Sequence, residues 1–281
     1  MPSSPTTLIR LEGRDALDLL HRISTQHLRE LEPGHCSSTL FCDFRGRVAH
    51  RVAVAQASDG SVWLVRVDAP ADELMAQVDR QIFRDDVRME DVSARATVIA
   101  IAAPTGAAAG TISERDGVPT VLHLDRGIDL LVGPVPSVPG LGEAARIRKG
   151  APLHGHEIRD AFNPFEIGLA SDVHLDKGCF TGQEALLRMM TYGGVRRRLV
   201  MIEGEGRAPA SGETVRQETK DAGVVTSSAP EDSAWVALGV LRHDALASDA
   251  PFATESGAAI ALVTPFTETR PLGLPDPSPR V

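Results

Sequence analysis

The hydrophobic period changes at Arg196, and that change limits the possible architectures more than any other feature of the chain. Ahead of it, strand-like alternation is interleaved with two stretches of helical spacing. Between Arg14 and Ser24, Ala16, Leu19, Leu20 and Ile23 fall on one helical face. Leu74, Met75, Val78 and Ile82 do the same in a second helix, for which Asp68 is the expected cap, with Pro70 in the first turn. Strands are predicted at 8–11, 35–43, 48–55 and 61–67, with shorter ones near 87–89, 97–101, 120–124 and 128–132. A short helix is expected at 143–148, mostly loop from 153 to 175, and a clear helix from Thr181 to about Gly193. Beyond Arg196 only short strand candidates remain (198–202, 213–216, 223–227, 234–241 and 258–263), separated by turn residues. That spacing predicts a small β-barrel or sandwich. The chain therefore reads as an α+β protein of two units, 1–195 and 196–281; its 281 residues exceed the usual size of one domain. The proline- and glycine-rich stretch 133–142 reads as a connection, the alanines around Gly106 to Gly110 as a flexible loop, and the final PLGLPDPSPRV as a frayed tail.

Composition narrows the function classes. A formal charge of −9 repels phosphate backbones, which removes nucleic acid as the main partner and leaves room for a small anionic ligand held by local basic groups. No run approaches the ~18 apolar residues of a membrane helix, and the first residues lack a basic stretch followed by an apolar one, so a cytoplasmic protein without a membrane anchor is expected. Three cysteines (Cys36, Cys42 and Cys179) make no disulfide framework and no C-x-x-C pair, so no metal site is expected. Cys36 and Cys42 share one strand face and read as core.

The segment that carries chemistry is Lys177-Gly178-Cys179-Phe180-Thr181-Gly182-Gln183-Glu184. Thr181 and Glu184 have capping-box spacing ahead of an apolar run, which would set Cys179 two residues before a helix cap. There the helix N-terminus favours a thiolate, and the Lys177 ammonium adds to it. Gly178 and Gly182 permit unusual backbone and the approach of a ligand. Ordinary helices also open with capping boxes, and a free cysteine is more often a small buried hydrophobe, so the residues alone leave both readings open.

The segment closely resembles the K-G-C-[FY]-x-G-Q-E signature of YgfZ-type proteins, relatives of the glycine-cleavage T-protein GcvT. The resemblance extends over nearly the whole chain: Ile9 to Ala16 with Ser24-Thr25-Gln26, the hairpin Phe44 to Val48, Arg146 to Gly155, Asn163 to Leu169, and Arg196-Arg197-Arg198 at the start of the C-terminal barrel. It implies a GcvT-like multi-lobed folate-binding fold, three lobes ringing a central hole, with a C-terminal β-barrel domain. Tetrahydrofolate is the implied cofactor, its pterin deep in the hole and its glutamate tail near the surface. For the YgfZ branch the implied role is assistance to iron–sulfur cluster assembly or repair. The implied partners are assembly machinery or client enzymes, tRNA-modifying enzymes among them. The cysteine matched by Cys179 is that branch's characteristic functional residue. Lys177 is placed beside it, and Gly178, Gly182, Gln183, Glu184, Arg146 and Asp129 are the candidate folate-binding residues.

The resemblance also carries a difference. T-proteins have an Asp-Asp pair after the glycine hairpin, where a carboxylate assists one-carbon transfer. This chain has His50-Arg51 there, and a guanidinium takes up no proton at neutral pH. The reading therefore favours a tetrahydrofolate-binding accessory protein, with His50 as a strand residue facing solvent. The alternative is a folate-dependent aminomethyltransferase or other one-carbon transferase, with Asp43 or Asp129 replacing the lost pair; a scaffold with a vestigial pocket ranks last. Arg146 also reads as a surface helix arginine, Arg196 to Arg198 as a solvated strand start, and Glu166 as a structural hydrogen-bond partner. His154 and His156 lack an evident third metal ligand.

Overall fold

The computed structural model describes residues 5–104, 106, 108–134, 138–267 and 270–274. The alanine loop, the 133–142 connection and the final tail therefore lie partly outside the described residues.

The first unit is a five-stranded antiparallel sheet of order β2-β3-β4-β1-β5, formed by β1 (Thr7–Glu12), β2 (His35–Cys42), β3 (Val48–Gln56), β4 (Val62–Arg66) and β5 (Arg88–Asp91). Alternation decides its two faces. Val52 and Val54 of β3, with Ile9, Leu11 and Leu64, pack under helices α1 (Ala16–Ile23) and α2 (Asp72–Asp79). Ala53 and Ala55, with Leu8, Trp63 and Val65, meet a second sheet on the other face. That sheet has the order β6-β9-β8-β7, from β6 (Thr97–Ala102), β7 (Ile112–Arg115), β8 (Val118–His123) and β9 (Ile128–Gly133). The sequence reading missed β7, whose short run Ile-Ser-Glu-Arg buries little.

After α3 (Glu143–Arg148) the chain runs without regular strands to α4 (Gln183–Arg188), which continues as a wider π-helical turn over Met189–Gly193. This irregular stretch is cored by Phe162, Ile167, Leu169 and Val173. The last unit is a six-stranded antiparallel sheet of order β14-β11-β12-β13-β10-β15. Its strands are β10 (Arg197–Glu205), β11 (Thr214–Gln217), β12 (Lys220–Glu231), β13 (Ala234–Arg242), β14 (Phe252–Thr254) and β15 (Ile260–Pro265), with a one-turn α5 (His243–Leu246) after β13. An Ala253–Ala259 bridge links the edge strand β14 to the residue before β15 and curls the sheet toward closure. Inside it Trp235, 1% exposed, lies across from Gly204, where a Cβ would stand 2.3 Å from the indole ring. Glycine is needed there because the ring fills the space. On the outer face Val236, Leu238 and Val240 pack against the irregular stretch, so β13 is buried on both sides and reads as a continuous apolar run.

Two expectations are corrected. Asp68 does not cap α2, which starts at Asp72 with no side-chain cap. The start of the tail is not frayed: Leu272 exchanges backbone hydrogen bonds with the 173–175 segment. No helix among the described residues is long and apolar enough to cross a membrane.

Candidate functional site

The signature segment is a surface loop tied inward at both ends. Cys179 is exposed, and Gly178 beside it has open space around it. Lys177 points the other way: it is buried, its Nζ donates to the His21 carbonyl, and it lies 5.1 Å from the Phe180 ring centre. Burial, aided by the Arg29 charge, pushes the Lys177 pKa down to about 8. His21 returns a 2.9 Å contact from Nε2 to the Lys177 carbonyl. The ammonium thus anchors the loop to α1.

The capping box does not form. Gly182, at φ +89°, occupies the cap position of α4, with no side-chain cap bond, and the helix begins at Gln183. Cys179 stands three residues before that cap, and a six-residue helix offers little dipole to a thiol there. Gly182 is held by packing: a Cβ would lie 2.5 Å from the Asp43 carbonyl oxygen and 3.0 Å from Gly46 Cα. Gly182→Ala is expected to cost about 2 kcal/mol from positive φ and backbone crowding together. An unchanged denaturant midpoint would contradict this. The Gln183 amide donates to Leu175 O at 2.9 Å, and Glu184 is exposed and pairs with Arg188.

A cavity of about 680 Å³ lies elsewhere, between the first two sheets and the 140–158 segment. Val52, Val65, Val98, Leu130, Leu153 and Ile158 give it apolar walls, and among the described residues no aromatic side chain lines it. Its charged groups are mostly neutralised. Arg51 binds Asp172 at 2.6 Å and Asp125 at 3.1 Å; burial opposes its charge, but the two carboxylates hold its pKa above the ordinary value. Arg146 binds Glu143 and Glu157 and the Ala151 carbonyl. Arg66 donates to Thr7 Oγ1 at 3.1 Å, to His50 Nδ1 at 3.1 Å and to the Pro70 carbonyl at 2.5 Å. Asp68 accepts the His154 backbone N–H at 2.8 Å.

The predicted residues fall at these two places, with Asp129 at neither. Arg146 lines the cavity, and it is buried instead of being a surface arginine. Cys179, Lys177, Gly178, Gly182, Gln183 and Glu184 do not line it. Neither does Asp129, which β9 turns away from the cavity; it sits 1% exposed against His123 Nδ1 at 2.9 Å. Asp43 is used in the hairpin turn, accepting the backbone N–H groups of Arg45 and Arg47. His50 faces inward, 5% exposed and stacked on His154 with 5.6 Å between ring centres. Burial first, then the Arg66 charge, pushes its pKa down to about 4, so the imidazole is neutral. Glu166 is indeed a structural partner, binding Arg47, Arg197 and the Asn163 backbone.

Among the described residues no group of three His, Cys, Asp or Glu side chains is placed to hold a metal ion. Cys36 and Cys42 are core, and burial pushes the Cys36 thiol up to about 12 and raises Cys42 as well. The sequence reading gives Arg66 no role and Asp68 only that of a helix cap. The signal was present: a charged pair closes an otherwise apolar run, Val-Trp-Leu-Val-Arg-Val-Asp.

Two family descriptions match the chain: the GCVT N-terminal domain over residues 3–111, and the CAF17 C-terminal beta-barrel domain over residues 196–267. A chloroplastic protein of Arabidopsis thaliana named as a transferase is 26% identical over 78% of this chain and 59% of its own length. An aminomethyltransferase of Halothermothrix orenii is 34% identical over 43% of this chain and 34% of its own length. The chain thus spans less than two thirds of either relative. The glycine cleavage system aminomethyltransferase T of Bartonella henselae shares the fold, with a TM-score of 0.76 and 18% identity over 95% of this chain and 85% of that one. The chain therefore carries a GCVT-type N-terminal domain and a CAF17-type C-terminal beta-barrel domain on a fold shared with an aminomethyltransferase T.

Proposed function

We propose that this chain is a cytoplasmic accessory protein that binds tetrahydrofolate in the cavity and supports iron–sulfur protein maturation, with Cys179 as its working thiol. The observation that carries the reading is the state of His50 and Arg51, at the position where T-proteins place their acidic pair. Arg51 is consumed by Asp172 and Asp125, and His50 accepts a hydrogen bond from Arg66. Neither offers a carboxylate to a reacting nitrogen, so binding is favoured over aminomethyl transfer.

The cavity residues fit a reduced folate. A volume of 680 Å³ falls within the range of about 300–1,000 Å³ usual for small-molecule sites. Aliphatic side chains on opposite walls would hold the flat pterin, and Arg95 at the rim, 71% exposed, would exchange its surface pair with Glu90 for the anionic tail. The cavity lies wholly within residues 1–195, the portion assigned to folate. The exposed thiol stands apart from it, which separates ligand binding from the cluster-related step.

Calorimetric titration with tetrahydrofolate is expected to give saturable binding for the wild type and for Cys179→Ala, with Kd values within twofold. A strain carrying Cys179→Ala is expected to lose activity of cluster-dependent enzymes under oxidative stress. Absence of binding would reject the folate assignment, and undiminished enzyme activity would reject the thiol's role. Turnover of a methylated amine with tetrahydrofolate would move the reading to a one-carbon transferase.

A further inference from the structure

Four arginines line the cavity, and three of them are neutralised in place: Arg51 by Asp172 and Asp125, Arg95 by Glu90, and Arg146 by Glu143 and Glu157. Arg66 differs. It is 4% exposed, yet its hydrogen bonds go only to neutral acceptors: a hydroxyl, a carbonyl and an imidazole. No carboxylate stands within ion-pair distance of it among the described residues. A buried guanidinium without such a partner is costly, and a cavity wall is where a ligand can offset that cost. A guanidinium carries five N–H donors. Its three contacts leave two of these N–H groups without an assigned acceptor.

Asp68 lines the same cavity two residues further on. One of its oxygens takes the His154 N–H, and an ionised carboxylate has acceptor capacity beyond that single bond. Its charge reaches Arg66 without touching it, as does that of Glu73. The wall therefore presents a fixed donor and a fixed acceptor close together, set among aliphatic side chains.

We propose that Arg66 and Asp68 are the specificity-determining pair of the cavity, reading the 2-amino-4-oxo edge of the pterin, with Arg66 donating to the 4-oxo oxygen and Asp68 accepting from N3–H and the 2-amino group. This inference rests on the folate reading of the cavity. It assigns the ligand class more narrowly: heterocycles with an amide-like edge are accepted. A 4-amino analogue, which sets its own donor against the guanidinium, is rejected. A site that hydrogen-bonds a specific polar group discriminates strongly against the analogue lacking it, because its buried polar atoms are left unpaired.

The test is titration of the full chain with tetrahydrofolate and with tetrahydroaminopterin, in which a 4-amino group replaces the 4-oxo and N3 carries no hydrogen. The wild type is expected to prefer tetrahydrofolate at least tenfold. Asp68→Asn, at a half-buried position, is expected to weaken tetrahydrofolate at least tenfold; Arg66→Met is expected to reduce the preference between the two ligands, leaving the share that Asp68 reads through N3–H. Tight tetrahydrofolate binding with no discrimination by the wild type, and an unchanged Kd in Asp68→Asn, would overturn the pair while leaving the folate site standing. Failure of the wild type to bind either ligand would reject the folate reading itself, and the pair with it. Should Arg66→Met not fold, the wild-type preference and Asp68→Asn decide the matter alone.

Discussion

Asp172→Ala lowers the unfolding free energy by about 3–5 kcal/mol, the usual result of removing one partner from a buried ion pair. Asp172 is 5% exposed at its side chain and Arg51 14%, and they meet at 2.6 Å. Two charges so placed have lost most of their hydration, and each is compensated mainly by the other. The substitution leaves Arg51 with Asp125 alone, at 3.1 Å and on a side chain 39% exposed. The pair also ties β3 to the irregular stretch, where Thr25 Oγ1 donates to the Asp172 carbonyl, so its loss loosens a contact between segments far apart in sequence. Combining Asp172→Ala with Arg51→Met removes the orphaned charge, and the double variant is expected to be more stable than Asp172→Ala by itself. Urea unfolding of the three variants measures this. A single-variant loss below about 1 kcal/mol, or a double variant no better than the single, would show that Arg51 is not held as a buried strut.

The first sheet, three strands of the second and five of the last are legible in the sequence because burial there follows local alternation; β7 and β14 are not. Val48, Val52 and Val54 stand in phase on β3, as do Trp235, Ala237 and Leu241 on β13, and both strands were placed within two residues. The same phase puts His50 between Val48 and Val52 on the inward side, although a polar side chain at that point of a strand favours solvent. The α4 segment was misjudged differently. Thr181 and Glu184 have the right spacing for a cap, but Gly182 is pressed against Asp43 and Gly46 from a hairpin more than a hundred residues away, and this contact sets where the helix begins. The cavity was not legible at all. It is assembled from β3, β4, β6, β9 and the 140–158 segment, and no local pattern records that these come together. The charge of Arg51 is likewise cancelled by residues remote in sequence, Asp125 and Asp172. The resemblance to the YgfZ branch locates the Cys179 thiol; Arg66 and Asp68 stand out in the sequence only as charges closing an apolar run, and the folded arrangement sets them at the cavity.

Acidification from pH 6.5 toward pH 4 is expected to remove up to about 3 kcal/mol of stability through His50 alone. In the folded chain its pKa lies at about 4, against 6.5 when unperturbed, because the ring is buried and faces the Arg66 cation. Between those values the unfolded chain binds a proton that the folded chain does not, so stability falls as pH falls; above pH 6.5 the contribution is complete. A gap of about 2.5 pKa units at 1.36 kcal/mol each gives the size. His154, stacked on His50, has its own pKa lowered by burial and then by Arg66, and therefore pulls in the same direction. His21 and His174 are likewise lowered, first by burial. The share of His50 must be isolated by substitution. His50→Gln keeps an acceptor for Arg66 and cannot titrate, so its stability curve is expected to be flatter than the wild type's by up to one proton between pH 4 and 6.5. Superimposable curves would sink the assignment. The same protonation would place an imidazolium against the Arg66 guanidinium at 3.1 Å, with no acceptor left between them. Ligand affinity and stability are therefore expected to fail together on the acid side, since the neutral ring that keeps the strand folded also holds Arg66 at the cavity wall.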